Sequence, residues 1–170
     1  MKNTLLAFAA GIASAAILSG HVFAQGPASS TATIIPSTTP LNVAAASKFE
    51  LRALKDFKIR FANTSSESWF TVDHRLVVTF VEEGYKGRAL YDNKGVWKYS
   101  IEYFDEKKLP HEIRDVVKRT YYDFNITLVQ VIQIPDHMIY MVHLEDATRL
   151  KTVRVSPEGE MEVYEELDKR

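Results

Sequence analysis

Arg88-Ala89-Leu90-Tyr91-Asp92-Asn93-Lys94-Gly95-Val96-Trp97-Lys98-Tyr99 places two alternating runs around a four-residue turn. The same plan returns in Thr152-Val153-Arg154-Val155-Ser156-Pro157-Glu158-Gly159-Glu160-Met161-Glu162-Val163. Ala89, Tyr91, Gly95, Trp97 and Tyr99 each have an apolar or glycine counterpart 64 residues on, and Val78 and Phe80 meet Val142 and Leu144 at the same spacing. Self-similarity in register is a statement about architecture, because each half is a supersecondary unit that needs a neighbour to bury its apolar face.

Outward from these hairpins, strand-like runs fall at Trp69–Val72, Leu76–Val81, Arg88–Tyr91 and Val96–Tyr103. A second set falls at Ile126–Ile132, Met138–Leu144, Arg149–Val155 and Glu160–Tyr164. Asp73-His74, Glu83-Gly84, Pro135-Asp136 and Glu145-Asp146 supply turn chemistry between them, so consecutive strands are expected to pair antiparallel. A helix is expected after the N-cap candidate Ser47, with Leu51, Leu54, Phe57 and Phe61 at helical spacing. Another follows Pro110, with Ile113, Val116, Val117, Thr120 and Tyr121 on one stripe. The expectation is an α+β fold of two α-β-β-β-β repeats, about 47–105 and 106–167, with both helices on one face of an antiparallel sheet.

Alternation assigns the faces. Ala89, Tyr91, Trp97, Tyr99, Ile101, Val142, Leu144, Val153, Val155, Met161 and Val163 are expected to face the helices. Arg88, Lys98, Ser100, Glu102, Arg154, Glu160, Glu162 and Tyr164 are expected to point away, leaving an open face of mixed charge. The candidate partner-binding residues on it are Lys98, Glu102, Arg154 and Glu162, with Tyr85, between Gly84 and Lys86, as a rim aromatic.

The first 24 residues read as a leader. Lys2 precedes an uncharged, alanine-rich run from Leu5 to Leu18, and Val22-Phe23-Ala24 offers small residues to a signal peptidase, so cleavage is expected between Ala24 and Gln25. An uncleaved anchor is the alternative. The run falls short of the roughly 20 apolar residues that span a bilayer, which favours a soluble periplasmic or secreted product without a stable membrane anchor. Residues 25–46 are rich in Pro, Ser and Thr and lack charge, as in a disordered tether before a single domain at 47–167.

Composition excludes several chemistries. The chain has no cysteine, which removes thiol catalysis and thiolate-bound zinc and leaves stability to the core alone. Without the leader, 20 basic residues face 22 acidic ones, a balance that offers no basic footprint for nucleic acid. His137 and His143 share a strand face about 20 Å apart, too far to ligate one metal. His111-Glu112 lacks the second histidine of a zinc-protease helix. Asp73-His74 and Asp136-His137 read as turns rather than parts of a triad, and no nucleophile elbow or phosphate loop is present. The acids from Glu158 to Asp168 alternate along a strand edge, where charge deters aggregation, instead of crowding a calcium loop. No catalytic residue, metal or cofactor is expected.

Trp69, the Leu76–Phe80 run, Ala89-Leu90-Tyr91-Asp92-Asn93-Lys94-Gly95, Leu109-Pro110 and Tyr121-Tyr122 together resemble the PepSY-like, β-lactamase-inhibitor-like family of small exported bacterial proteins. The resemblance spans roughly 49–166. Members often carry Phe-Pro after the first helix and a Tyr-Pro-Gly-like turn after the second, where this chain has Phe61-Ala62-Asn63 and Tyr121-Tyr122-Asp123. The resemblance implies a non-catalytic module that binds or inhibits another exported protein. An envelope sensory or accessory domain for a small ligand or a membrane-protein ectodomain is the alternative, and a structural envelope protein without a discrete site is a third reading.

Overall fold

The computed structural model describes Thr39, Pro40 and residues 46–170. The leader, its Ala24/Gln25 cleavage point and most of the 25–46 tether lie outside the described residues. Within that tether Thr39–Pro40 form a two-residue strand, β1, pairing with Thr71 and Phe70.

Helix α1 (Lys48–Arg60) follows, with the Glu50 carboxylate accepting the backbone N–H of Ser47. Strands β2 (Thr64–Val72), β3 (Arg75–Glu82), β4 (Tyr85–Tyr91) and β5 (Trp97–Phe104) come next. After a 3-10 turn at Glu106–Lys108 stand α2 (His111–Thr120), β6 (Asn125–Ile134), β7 (His137–Glu145), β8 (Arg149–Val155) and β9 (Met161–Asp168).

These elements correct the expected α+β class of two α-β-β-β-β repeats. The strands merge into one antiparallel sheet in the order β1 to β9, and that sheet dominates the molecule. The reason is local. Tight turns join neighbouring strands, and β5 pairs with β6 over five registered positions, from Ser100–Gln133 to Phe104–Val129, so no seam divides the ladder. Among the described residues two α-helices stand against it, of 13 and 10 residues.

Hairpin geometry explains the Asp-His pairs. Asp73 and His74 both have positive φ (48° and 60°), the mirror-type turn whose twist matches flanking strands, and Asp136 has φ 64° after Pro135. At the β4–β5 turn Asp92 Oδ1 accepts the N–H groups of Lys94 (2.8 Å) and Val96 (3.0 Å). Gly95 there has φ 72°, and a Cβ would lie 2.2 Å from the Phe49 carbonyl oxygen, so helix α1 rests directly on the turn.

Two clusters of buried side chains lie between sheet and helices. One joins Ala53, Phe57 and Phe61 of α1 to Trp69, Leu76, Val78, Phe80, Ala89, Tyr91 and Trp97. The other joins Ile113 and Val117 of α2 to Val129, Val131, Tyr140, Val142, Leu144, Val153 and Val155. Register links them: Phe80, Gly87, Glu102, Val131, Tyr140 and Val155 form one row across six strands, so both helices cover the same face. The Phe80 ring lies over Gly87, where an added Cβ would stand 2.5 Å from it.

Candidate functional site

Among the described residues no helix lies on the opposite face, and its composition follows from bulges. Leu90 pairs with Tyr99 while Tyr91 pairs with Trp97, so Lys98 is an extra residue in β5. A bulge reverses the alternation beyond it. Trp97 therefore points into the α1 cluster, but Ser100, Glu102 and Phe104 then take the helix side, and Tyr99, Ile101 and Tyr103 the open side. This overturns the expected placement of Tyr99, Ile101, Ser100 and Glu102. A second bulge at Thr127 in β6 and a third at Tyr164 in β9 shift phase in the same way.

The open face that results is apolar at its centre rather than mixed in charge. Thr79, Arg88, Ile101, Ile132 and Ile139 make one row. Tyr103, Gln130, Met141, Arg154 and Glu162 make the next but one beyond them on the same face. Val77, Leu90 and Tyr99 make a third. Ile101 is 7% exposed and Met141 9%, yet neither belongs to the clusters under the helices.

The residues singled out from sequence scatter. Arg154 and Glu162 do lie together on the open face, paired at 2.9 Å. Lys98 sits at the bulge and pairs with Asp92 at 3.0 Å. Burial opposes ionisation of Asp92, but the N–H groups of Val96 and Lys94 and the Lys98 ammonium outweigh it and hold the carboxyl at about 2. Lys98 thus braces a turn. Tyr85 lies on the helix side, its ring edge-on to Phe104 at 5.1 Å and its hydroxyl donating to Asp105 at 3.4 Å. Glu102 lies on the helix side as well, half-buried, its carboxyl pushed up by burial and by the charge of Glu82.

That upward shift has a consequence for stability. A carboxyl whose folded-state pKa is raised favours folding while protonated and opposes it as pH climbs through the folded value. Glu102→Gln is expected to raise the melting temperature at pH 7, with the gain shrinking toward pH 4. A neutral or destabilising change at pH 7 in thermal melts would contradict it.

His143 lies on the open face, where burial lowers its pKa and Glu165 partly offsets that effect. Its Nδ1 is 3.2 Å from the Thr152 hydroxyl, and its Nε2 is buried without a partner. Glu166 of β9 is tied to the neighbouring strand, taking Lys151 at 3.0 Å and Arg149 at 3.6 Å.

Sequence reasoning missed Arg88's neighbours Ile101, Ile132 and Ile139. A signal was present. Leu128-Val129 and Val131-Ile132 in β6, and Ile139 through Val142 in β7, are apolar in both phases, the pattern of strands low in charge on both faces.

No family model and no curated protein matches the chain. Solved structures share its fold. It is similar to a DUF2874 family protein from Bacteroides ovatus, at 12% identity and TM-score 0.56 over 69% of this chain and 85% of that one. It is similar to a BLIP-like protein from Bacteroides fragilis, at 15% identity and TM-score 0.58 over 74% and 89%. A candidate periplasmic protein from Bacteroides eggerthii aligns at 15% identity and TM-score 0.55 over 69% and 86%. Identities this low carry the fold alone. The inhibitor-like side of the resemblance thereby gains a BLIP-like structural counterpart, and the PepSY-like side gains none. Among the described residues, no helix is long and apolar enough to cross a membrane.

Proposed function

We propose that this chain is an exported, non-catalytic binding module that docks on another exported protein through its open sheet face, in the manner of an inhibitor. The observation that carries the reading is the apolar centre of that face. Ile132 and Ile139, half-buried, and Ile134, 37% exposed, sit on the side of the sheet that neither helix covers. A contiguous apolar patch rimmed by polar groups marks an interaction surface, and the Arg154–Glu162 pair stands at its rim. The BLIP-like fold and the leader-like residues 1–24 agree with an exported binding protein.

The test uses Ile134→Asp and Ile139→Asp, at partly exposed open-face positions. Loss of an interface anchor costs about 2 kcal/mol or more of binding. Both variants are expected to weaken capture of a partner from envelope extract by roughly thirtyfold while melting cooperatively near the parent temperature. Capture that survives both substitutions moves the site off this face.

A further inference from the structure

Arg88 stands within the open face with nothing to neutralise it. On β4 it lies between Thr79 of β3 and Ile101 of β5. Its same-face diagonal neighbours are Lys86 and Leu90 on its own strand, Val77 and Val81 on β3, and Tyr99 and Tyr103 on β5. None is acidic. Its Nε is buried without a hydrogen-bond partner. Lys98 is paired with Asp92 and Arg154 with Glu162. The acids on the open side of β7 and β9, Glu145, Glu162 and Glu165, lie three or more strand spacings away, on the order of 14 Å or more, and Glu145 is held by Lys169.

The Arg88 side chain is partly buried, and its Nε has lost its hydration and recovered no acceptor. Leaving such a donor unpaired is costly, and a carboxylate that meets its fork in two parallel bonds removes the cost. We infer that the open face recognises a protein segment presenting an Asp or Glu side chain flanked by apolar residues. The carboxylate lies on Arg88, and the apolar neighbours lie on Tyr99, Ile132 and Ile139. Lys86 adds a second positive charge at the same end. The inference rests on the open face being the docking surface, and it names what the partner must bring.

The probe is a library of random twelve-residue peptides displayed on phage and selected on the full chain purified after export. Peptides that win are expected to share an acid beside Phe, Tyr, Leu, Ile or Met. A synthetic winner should lose at least about tenfold in affinity when its acid becomes the amide, and as much when the protein carries Arg88→Gln. Arg88→Lys, which keeps charge without the fork, should recover only part of it. Arg88→Glu should bind the version of the peptide bearing Lys in place of the acid. Winners that depend on Ile134 but carry no acid, or ignore Arg88→Gln, overturn the inference and leave the docking surface standing. No winners, or winners indifferent to Ile134→Asp, overturn both. A second copy of the chain is the rival occupant. Sedimentation showing a dimer that Arg88→Glu dissociates would assign the face to self-association and overturn the inference.

Discussion

Phe57→Ala is expected to cost about 3–5 kcal/mol of unfolding free energy, the range for removing a buried aromatic ring. Phe57 is fully buried on the sheet side of α1. Its ring is held by Phe61 at 5.1 Å and meets Trp69 and Phe80 edge-on, each at 5.3 Å. Phe61 and Phe80 also touch each other at 4.8 Å, so removing Phe57 empties the middle of a packed aromatic group instead of trimming its margin. Edge-to-face pairs add to simple burial. The backbone on both sides is fixed by helix and sheet, which limits collapse into the cavity. Urea unfolding checks the value. A loss below about 1 kcal/mol would show that the neighbours close over the gap.

A chain ending at Asp105 is expected to show no cooperative unfolding at all. About sixty residues sit near the lower limit for an independent core. The cut also does two specific kinds of damage. It bares the β5 edge along the five positions paired with β6, from Ser100 to Phe104. It further strands Phe104, which packs against the α2 cluster rather than the α1 cluster. The intact chain is expected to melt in one transition. Calorimetry and circular dichroism on both chains decide the matter, and a folded fragment would mean that each cluster sustains its own unit.

Local chemistry was legible in the residues where it is strictly local. Asp92 with Gly95 defines its turn, Asp73-His74 and Pro135-Asp136 define theirs, and the apolar spacing Leu54, Phe57, Phe61 defines α1. What a strand does beyond its own turns was less so. The run 96–103 alternates as if Trp97, Tyr99 and Ile101 shared a face, and nothing in it announces that Lys98 is left out of the pairing. That omission depends on the neighbouring strand, where Leu90 and Tyr91 fix the register. The dominance of the sheet is likewise a property of pairing between β5 and β6, which lie on either side of α2 in the chain. Of the candidate site only Arg154 and Glu162 could be placed by alternation alone, because β8 and the start of β9 keep their phase up to that row.

The extra residue in β5 makes odd and even positions exchange meaning along a single strand. Before it, an odd number such as 97 looks into the core. After it, 99, 101 and 103 look outward, and 100, 102 and 104 look in. Deleting Lys98 would remove the bulge and leave Tyr99 and Ile101 facing outward, whereas taking Lys98 into the ladder opposite Leu90 would turn Ser100 and Glu102 outward in their place. In a fold of this kind, whether one residue is paired or left out of the ladder decides the character of an entire sheet face, with no side chain of the sequence changed.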